Sequence, residues 1–502
     1  MNQAAKLESL NPATGDVVGV YATDDTAAVE AAVARARGAV DWWTGLGFDG
    51  RKEVLGQWRG VISRRMGQLA DLVHQETGKP NGDALIEIGL AIEHLAWAAS
   101  HAEKVLRRRT VSSGLQLVNQ SASVEYLPLG VVGVIGPWNY PVFTPMGSIV
   151  YALAAGNPVV FKPSELTPAV GVWLADSLTE VVGERALLQV VVGFGETGAA
   201  LCRAGIDKLA FTGSTGTGKK VMAACAENLI PVVIEAGGKD AFLVDEDADL
   251  EAAADAAAFG AFANAGQTCI GVERIYVHER VYDDFLERLS EKARSVHAEY
   301  DGAIGPMTLS TQPDVVRSHI DDALAKGGRA VVGGADSVGE RYVQPTVLVD
   351  VPEDSIAVTE ETFGPTVTVA KVATMDRAVE LANAGKYGLG SAVFSAKRGM
   401  ELAHRLRAGM TSVNGVTSFA GIPALPFGGV GDSGFGRIHG PDGLKEFTFA
   451  KAVARQRMKP TLNLTTLTRS AKTEATFATL VTALHGGASQ LPKRASRLRR
   501  GR

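Results

Sequence analysis

Val131-Val132-Gly133-Val134-Ile135-Gly136-Pro137-Trp138-Asn139-Tyr140-Pro141 is the stretch on which the reading of the fold turns. A short β-branched run is cut off by a Pro-bracketed loop, as a strand buried on both faces would be. Comparable runs recur at Pro158-Val159-Val160-Phe161, Leu188-Gln189-Val190-Val191-Val192, Lys208-Leu209-Ala210-Phe211 and Pro231-Val232-Val233-Ile234, each followed by turn residues and a helical stretch. Strands alternating with helices predict a parallel sheet with right-handed crossovers. A second series follows Lys239, with strands near 241–244, 272–277, 330–332 and 391–394 and helices near 249–263, 280–296 and 397–408. The chain therefore reads as α/β with two such domains. Before residue 130, helical periodicity covers 26–43, 51–75 and 84–108, and the polar, alternating stretch 110–127 suits a protruding β-hairpin.

Size and composition narrow the class. At 502 residues the chain exceeds one ordinary core, so two or three domains are expected. A net charge of −5 gives no general affinity for nucleic acid. Cys202, Cys225 and Cys269 are an odd number without framework spacing, which predicts free thiols in a reducing compartment. Cys202 and Cys225 read as core thiols. No His pair has metal-ligand spacing, so no metal is expected. Met1 to Gly15 lacks an apolar leader and no run of 18 apolar residues occurs, so the expectation is a cytoplasmic protein with no transmembrane segment.

Several segments carry possible chemistry. Gly213-Ser214-Thr215-Gly216-Thr217-Gly218-Lys219-Lys220 nearly spells a P-loop, but Lys220 stands where a Mg²⁺-binding hydroxyl is needed. What survives is a strand end, small residues and a helix N-terminus, which is an anion site. Gly193-Phe194-Gly195-Glu196-Thr197-Gly198 matches G-x-G-x-x-G and either lies near a cofactor or merely turns the chain. Asn139 sits at the carboxyl end of a strand, where its amide could hold an oxyanion; equally, its loop could simply pack aromatics. In Phe161-Lys162-Pro163-Ser164-Glu165 the acid could accept bonds from a ribose diol and repel a 2′-phosphate, or simply be solvated. Finally, Val233-Ile234-Glu235-Ala236-Gly237-Gly238-Lys239 offers a carboxylate and Asn264-Ala265-Gly266-Gln267-Thr268-Cys269 a thiol. A nucleophile and a base are the minimum for making and hydrolysing a thioester.

Taken in order, seven motifs resemble the NAD(P)-dependent aldehyde dehydrogenase superfamily, from Asn11-Pro12-Ala13-Thr14-Gly15 to about residue 456. They are Pro137 to Pro141, Lys162-Pro163-Ser164-Glu165, Phe211-Thr212-Gly213-Ser214, Glu235 to Lys239, Gly266 to Cys269, Glu361-Thr362-Phe363-Gly364-Pro365, and Pro426-Phe427-Gly428-Gly429 with Ser433-Gly434-Phe435-Gly436-Arg437. The resemblance implies a Rossmann-type NAD-binding domain at 1–109 and 128–236 and an α/β catalytic domain at 237–430. It also implies a bridging β element at 110–127 and 446–456, leaving 457–502 as an extension, and a homodimer or homotetramer.

By the same resemblance Cys269 is the nucleophile, Asn139 the oxyanion donor and Glu235 the base that activates the hydrolytic water. NAD would be held by Trp138, Lys162, Ser164, Glu165, Gly195, Phe211, Gly213, Ser214, Gly237, Glu361 and Phe363, with Glu165 disfavouring NADP. Phe143, Gly147, Ala263 and Phe419 would line the substrate tunnel. Departures matter here. Ala236 replaces the usual Leu, Gly147 and Ser148 replace a Trp-Lys pair, and Ala263 replaces a larger residue. A widened tunnel and a bulky or long-chain aldehyde are therefore expected.

Succinate semialdehyde is the alternative substrate, although the Arg residues that bind its carboxylate in better-known members are absent at Gly147 and Ala263, and Gly271 replaces a second Cys. Glu235 argues against a CoA-acylating enzyme, and intact Cys269, Glu235 and Asn139 against a catalytically silent structural protein. Beyond Glu474 there are no acids. Phe477, Leu480, Val481 and Leu484 recur at helical spacing, followed by Lys493, Arg494, Arg497, Arg499, Arg500 and Arg502. That tail suits a helix docked on a neighbouring subunit, or peripheral contact with an anionic membrane.

Overall fold

Residues 6–114 and 117–486 are described by a computed structural model. The first parallel sheet contains Val132–Ile135, Val159–Lys162, Leu188–Val190, Lys208–Gly213 and Val232–Ala236, the five runs that the sequence singles out. Gly434–Phe435 joins it as an antiparallel edge beside Val232–Ala236. In space Val132–Ile135 lies between Lys208–Gly213 and Val159–Lys162. The chain thus winds outward to Leu188–Val190, then returns to the other side of its first strand. That reversal opens a crevice at the carboxyl ends of the strands, where α/β sheets bind ligands.

Alternation explains the burial. Val132, Val134, Val159 and Phe161 enter one core layer with the helices Asn81–Leu106, Phe143–Ala155 and Pro168–Val182. Val131, Val160, Leu209 and Phe211 enter the opposite layer with the helices Thr26–Gly45, Gly195–Leu201 and Thr215–Ala226. A sheet covered on both faces needs apolar residues at successive positions, hence the unbroken runs.

The second sheet has the order Arg329–Val332, Thr346–Val349, Thr366–Val372, Val272–His278, Asp240–Val244, Ser391–Phe394 and Ser412–Val413. All pairings are parallel except that of Arg329–Val332 with Thr346–Val349. The strands Thr346–Val349, Thr366–Val372 and Ser412–Val413 were not anticipated, and neither was the hairpin Lys6–Leu10 with Val17–Ala22. The expected single helix 51–75 is two, Gly47–Arg64 and Met66–Thr77, broken where Arg65 leaves helical geometry at φ −112°.

Two compact units emerge. One comprises residues 1–107 and 126–449 and contains both parallel sheets; the other comprises 108–125 and 450–502. In the smaller, Arg109–Val111 pairs antiparallel with Gln120–Pro128, and Thr448–Gln456 lies on the other side of that strand. The tail does form a helix, Ala471–His485, capped by Ser470, and none of its side chains is buried. The six basic residues from Lys493 to Arg502 lie outside the described residues. Among the described residues no helix is long and apolar enough to cross a membrane.

Candidate active site

Glu235 closes the strand Val232–Ala236, and two glycines then carry the chain into Asp240–Val244 of the second sheet. Cys269 follows the helix Leu250–Phe262 and the tight turn Ala263–Gly266, where Asn264, Ala265 and Gly266 all take positive φ (52°, 55° and 69°). A left-handed Ala costs roughly 1–2 kcal/mol, so the turn needs external support. Asn264 Nδ2 donates to the carbonyls of Asn139 and Gln267, both at 3.2 Å, and the Gln267 side-chain oxygen accepts from Thr308 N at 2.8 Å. Gly266 is required outright: a Cβ there would lie 2.2 Å from the Gly364 carbonyl oxygen.

The Asn139 loop is bound to the same turn. Buried Asn139 donates from Nδ2 to Gln267 O at 2.9 Å, and the Tyr140 hydroxyl lies 3.0 Å from Thr268 Oγ1. From behind, Glu87 accepts from the backbone N–H groups of Val142 (2.8 Å) and Phe143 (3.1 Å) and pairs with Lys79, both side chains wholly enclosed. Lys79 also stands 3.7 Å above the Tyr140 ring. A second buried pair, Lys239 with Glu273, does the same for the loop after Glu360: Glu273 accepts from Thr362 N (2.8 Å) and Phe363 N (3.0 Å). That places Glu361 against the diglycine, with Gly238 N donating to its Oε1 at 3.0 Å. A Cβ on Gly237 would sit 2.1 Å from both Glu361 carboxylate oxygens. Sequence reading missed Lys79, Glu87 and Glu273, because an isolated charge in a helical or strand stretch carries no local sign of burial.

Acids gather around the thiol. Burial pushes the Cys269 thiol well up, and the charges of Glu235, Glu361 and Asp240 add to the rise. Burial likewise pushes Glu235 up to about 7, Asp240 to about 8 and Glu361 to about 8. Both Glu235 carboxylate oxygens lack a completed hydrogen bond; the Cys269 and Thr212 side chains temper its rise without satisfying it. A carboxylate left unsatisfied in a dry site is primed to take a proton.

Cys269 opens into a cavity of about 200 Å³ walled by Tyr140, Phe143, Phe259, Ala263, Ile270 and Phe427. Asp83 and Glu87 also reach it, and among the described residues no Lys, Arg or His does. A larger open depression of about 550 Å³ beside Lys208 and Glu446 holds none of these groups. Of the four residues expected at the substrate tunnel, Phe143 and Ala263 line this cavity and Gly147 and Phe419 do not. A Cβ on Gly147 would meet His439 Nε2 at 2.4 Å, so the volume it frees is taken by that imidazole rather than added to the tunnel. His439 is fully buried at φ 63°, with both ring nitrogens unpartnered, 3.9 Å from the His94 ring centroid and edge-on to Phe143 at 5.6 Å. Phe419 is buried, its ring 6.5 Å from Phe427 and its tip close to Gly390.

The other expected residues surround the crevice of the first sheet. Trp138 and Phe363 meet edge to face at 5.6 Å. Lys162 is buried, donates from Nζ to Pro163 O at 3.0 Å and lies 3.8 Å from the half-exposed Glu165. The Ser164 hydroxyl accepts from Leu166 N at 3.3 Å. Phe211 packs so closely under Gly213 that a Cβ there would come within 2.8 Å of its ring. Ser214 caps the twelve-residue helix Thr215–Ala226, accepting from Thr217 N at 3.3 Å. Nothing stands within 4 Å of a Cβ on Gly195 or Gly216, so the space over both turns is open. An open helix N-terminus, a buried amine and an acid at neighbouring strand ends fit the phosphates and ribose of a dinucleotide. Among the described residues no cluster of His, Cys, Asp or Glu suits a metal ion.

A profile of the aldehyde dehydrogenase family matches residues 1–453. Over 449 residues the chain is 36% identical to a 4,4'-diapolycopene aldehyde oxidase from a Methylomonas species, covering 88% of this chain and 84% of that one. It is 37% identical over 439 residues to a protein of Mycobacterium ulcerans provisionally named an NADP(+) succinate-semialdehyde dehydrogenase, covering 86% and 85%. The structure of an NAD-dependent aldehyde dehydrogenase from Sinorhizobium meliloti superposes with a TM-score of 0.87 at 33% identity, covering 92% of this chain and 93% of that one.

Proposed function

This chain belongs to the aldehyde dehydrogenase family, and we propose that it oxidises an uncharged, bulky or long-chain aldehyde to the carboxylic acid with NAD. Glu235, or water beside it, takes the Cys269 proton, and the thiolate adds to the aldehyde carbonyl. The Asn139 amide and the Cys269 backbone N–H hold the resulting oxyanion. When bound, NAD supplies the acceptor for the hydride that leaves this thiohemiacetal. A thioester on Cys269 remains. Once Glu235 has passed the first proton to solvent it removes one from water, the hydroxide adds to the thioester, and that proton returns to the departing Cys269 sulfur as the acid leaves.

The observation that carries the substrate class is the lining of the Cys269 cavity: aromatic and aliphatic walls with four Ser and Thr hydroxyls, two carboxylates and, among the described residues, no cation. A distal carboxylate would there lack a free cationic partner, Lys79 being already paired with Glu87, at a cost of several kcal/mol. Succinate semialdehyde remains the second reading because of the Mycobacterium relative's name. NADH formation from succinate semialdehyde, octanal and benzaldehyde, without CoA, tests both. A kcat/KM for succinate semialdehyde above that for octanal would reverse the order.

For the cofactor, Glu165 supports NAD, since a carboxylate at the ribose would repel a 2′-phosphate. Parallel kinetics with NAD and NADP check that preference. A homodimer or homotetramer is proposed through the three-stranded sheet of the smaller unit, and its mass in solution tests this.

A further inference from the structure

Charge is distributed very unevenly along this chain. Residues 108–125 and 450–502, the smaller compact unit, hold fourteen Lys and Arg and two acids. The whole chain carries −5, so the larger unit is strongly acidic. After the strand Thr448–Gln456 the imbalance sharpens: residues 457–502 contain ten Lys and Arg and one acid, Glu474, which lies 3.7 Å from Arg469. The four of these cations on described residues, Arg457, Lys459, Arg469 and Lys472, are all exposed.

The same segment exposes its apolar side chains. Met458 is 62% exposed and Leu467 fully so. On the helix Ala471–His485, Phe477, Leu480, Val481 and Leu484 stand at i, i+3, i+4 and i+7 and form one stripe. Ala475 to Leu484 carry no charge. The helix contains four Thr and buries no side chain, so neither propensity nor packing within the chain holds it together. A helix of this kind needs a partner that covers its stripe.

We propose that residues 457–486 dock on an anionic lipid bilayer, with the helix lying in the interface, its stripe at the acyl boundary and the Lys and Arg on the headgroups. The uncharged stretch spans roughly 15 Å as helix, half of a hydrocarbon core of about 30 Å, so it lies on a membrane rather than across one. Cations alone would serve a nucleic acid or the acidic body of a second copy equally well, and an apolar stripe alone would serve any protein groove. Both in one short segment match a surface that is anionic above and apolar beneath. The sequence beyond residue 486 adds six more cations and no acid. None of these residues belongs to the Cys269 site, so the surface serves any substrate; for the apolar aldehyde proposed above it brings the enzyme to the phase in which that molecule dissolves.

Flotation of the full-length protein with lipid vesicles tests this, with thermal melts and mass in solution to verify folding and assembly. Vesicles of phosphatidylcholine with about one-third phosphatidylserine should carry the protein up the gradient, and vesicles of phosphatidylcholine alone should not. Raising NaCl from about 0.1 M to about 1 M should release it. Leu480→Gln with Leu484→Gln removes the stripe while keeping a good helix former, and Lys459→Gln with Lys472→Gln removes two cations. Each pair should lower the partition coefficient about twentyfold, at about fivefold or more per residue. No flotation on the anionic vesicles overturns the proposal, as does equal flotation on phosphatidylcholine alone or unchanged flotation of both folded variants. Failure to float, with a lower mass in the leucine variant, would give the stripe to a second copy of the chain. Failure to float, with retention of a DNA duplex, would give the cations to nucleic acid. Either result overturns the bilayer as partner.

Discussion

Replacing Glu235 by Gln should abolish turnover and stabilise the fold together, with both effects governed by one titration. Burial lifts this carboxyl from its usual 4.5 to about 7. At 1.36 kcal/mol per pH unit, holding it ionised in the folded chain costs roughly 3 kcal/mol. The sign follows from proton binding. Between about 4.5 and 7 the folded state binds the proton that the unfolded state has lost. Stability contributed by this group is therefore fully present below 4.5 and lost as the pH rises through 7. Gln does not titrate, so the variant's advantage in thermal or urea unfolding should be near zero at pH 4.5 and approach 3 kcal/mol by pH 8.5. Taking the difference between the two proteins cancels the titrating groups that do not feel the Glu235 charge. Asp240 and Glu361, whose carboxyls the Glu235 charge helps to raise, should ionise more readily in the variant. In stopped flow the variant should yield one NADH per site and then stall, with thioester hydrolysis slowed about 10²–10⁴-fold. Wild-type hydrolysis should rise with pH through about 7, and the variant's residual rate should lack that limb. A pH-independent stability difference, or steady turnover near wild type, would refute the reasoning.

Gly147→Ala should drive a methyl into His439 and destabilise the enzyme by about 1–3 kcal/mol, with His439→Ala in the same chain recovering most of the loss; a neutral single variant by urea unfolding would contradict the observed contact. Lys79→Met strands the Glu87 carboxylate in a wholly enclosed site, for an expected loss of about 3–5 kcal/mol, whereas Lys79→Met with Glu87→Gln, whose amide oxygen still accepts from Val142 and Phe143, should be milder; equal losses would show that the stranded charge is not the cause. Glu165→Ala should lower KM for NADP and raise KM for NAD, as measured by initial rates, because the ribose loses its acceptor as the 2′-phosphate loses its repulsion, and an unaltered NADP-to-NAD ratio would remove Glu165 from cofactor choice.

By itself the sequence determined the five parallel strands of the first sheet and four of the second sheet's seven, because parallel strands buried on two faces announce themselves as short β-branched runs bounded by turn residues. It also supplied Cys269, Glu235 and Asn139 as candidates, since each sits in a local motif of Gly, Pro and Asn whose backbone demands are visible in one dimension. Strands such as Thr346–Val349 and Thr366–Val372 were not visible, being pinned by pairing with one another rather than by their own pattern. Tertiary structure alone decided what fills the space at Gly147: a gap in one helix says nothing about the imidazole of His439, which arrives from far along the chain. It likewise decided that Lys79 with Glu87 and Lys239 with Glu273 are buried braces under the site's two loops. Burial and ion pairing are properties of neighbours in space, and a charged residue looks the same in sequence whether water or a partner meets it.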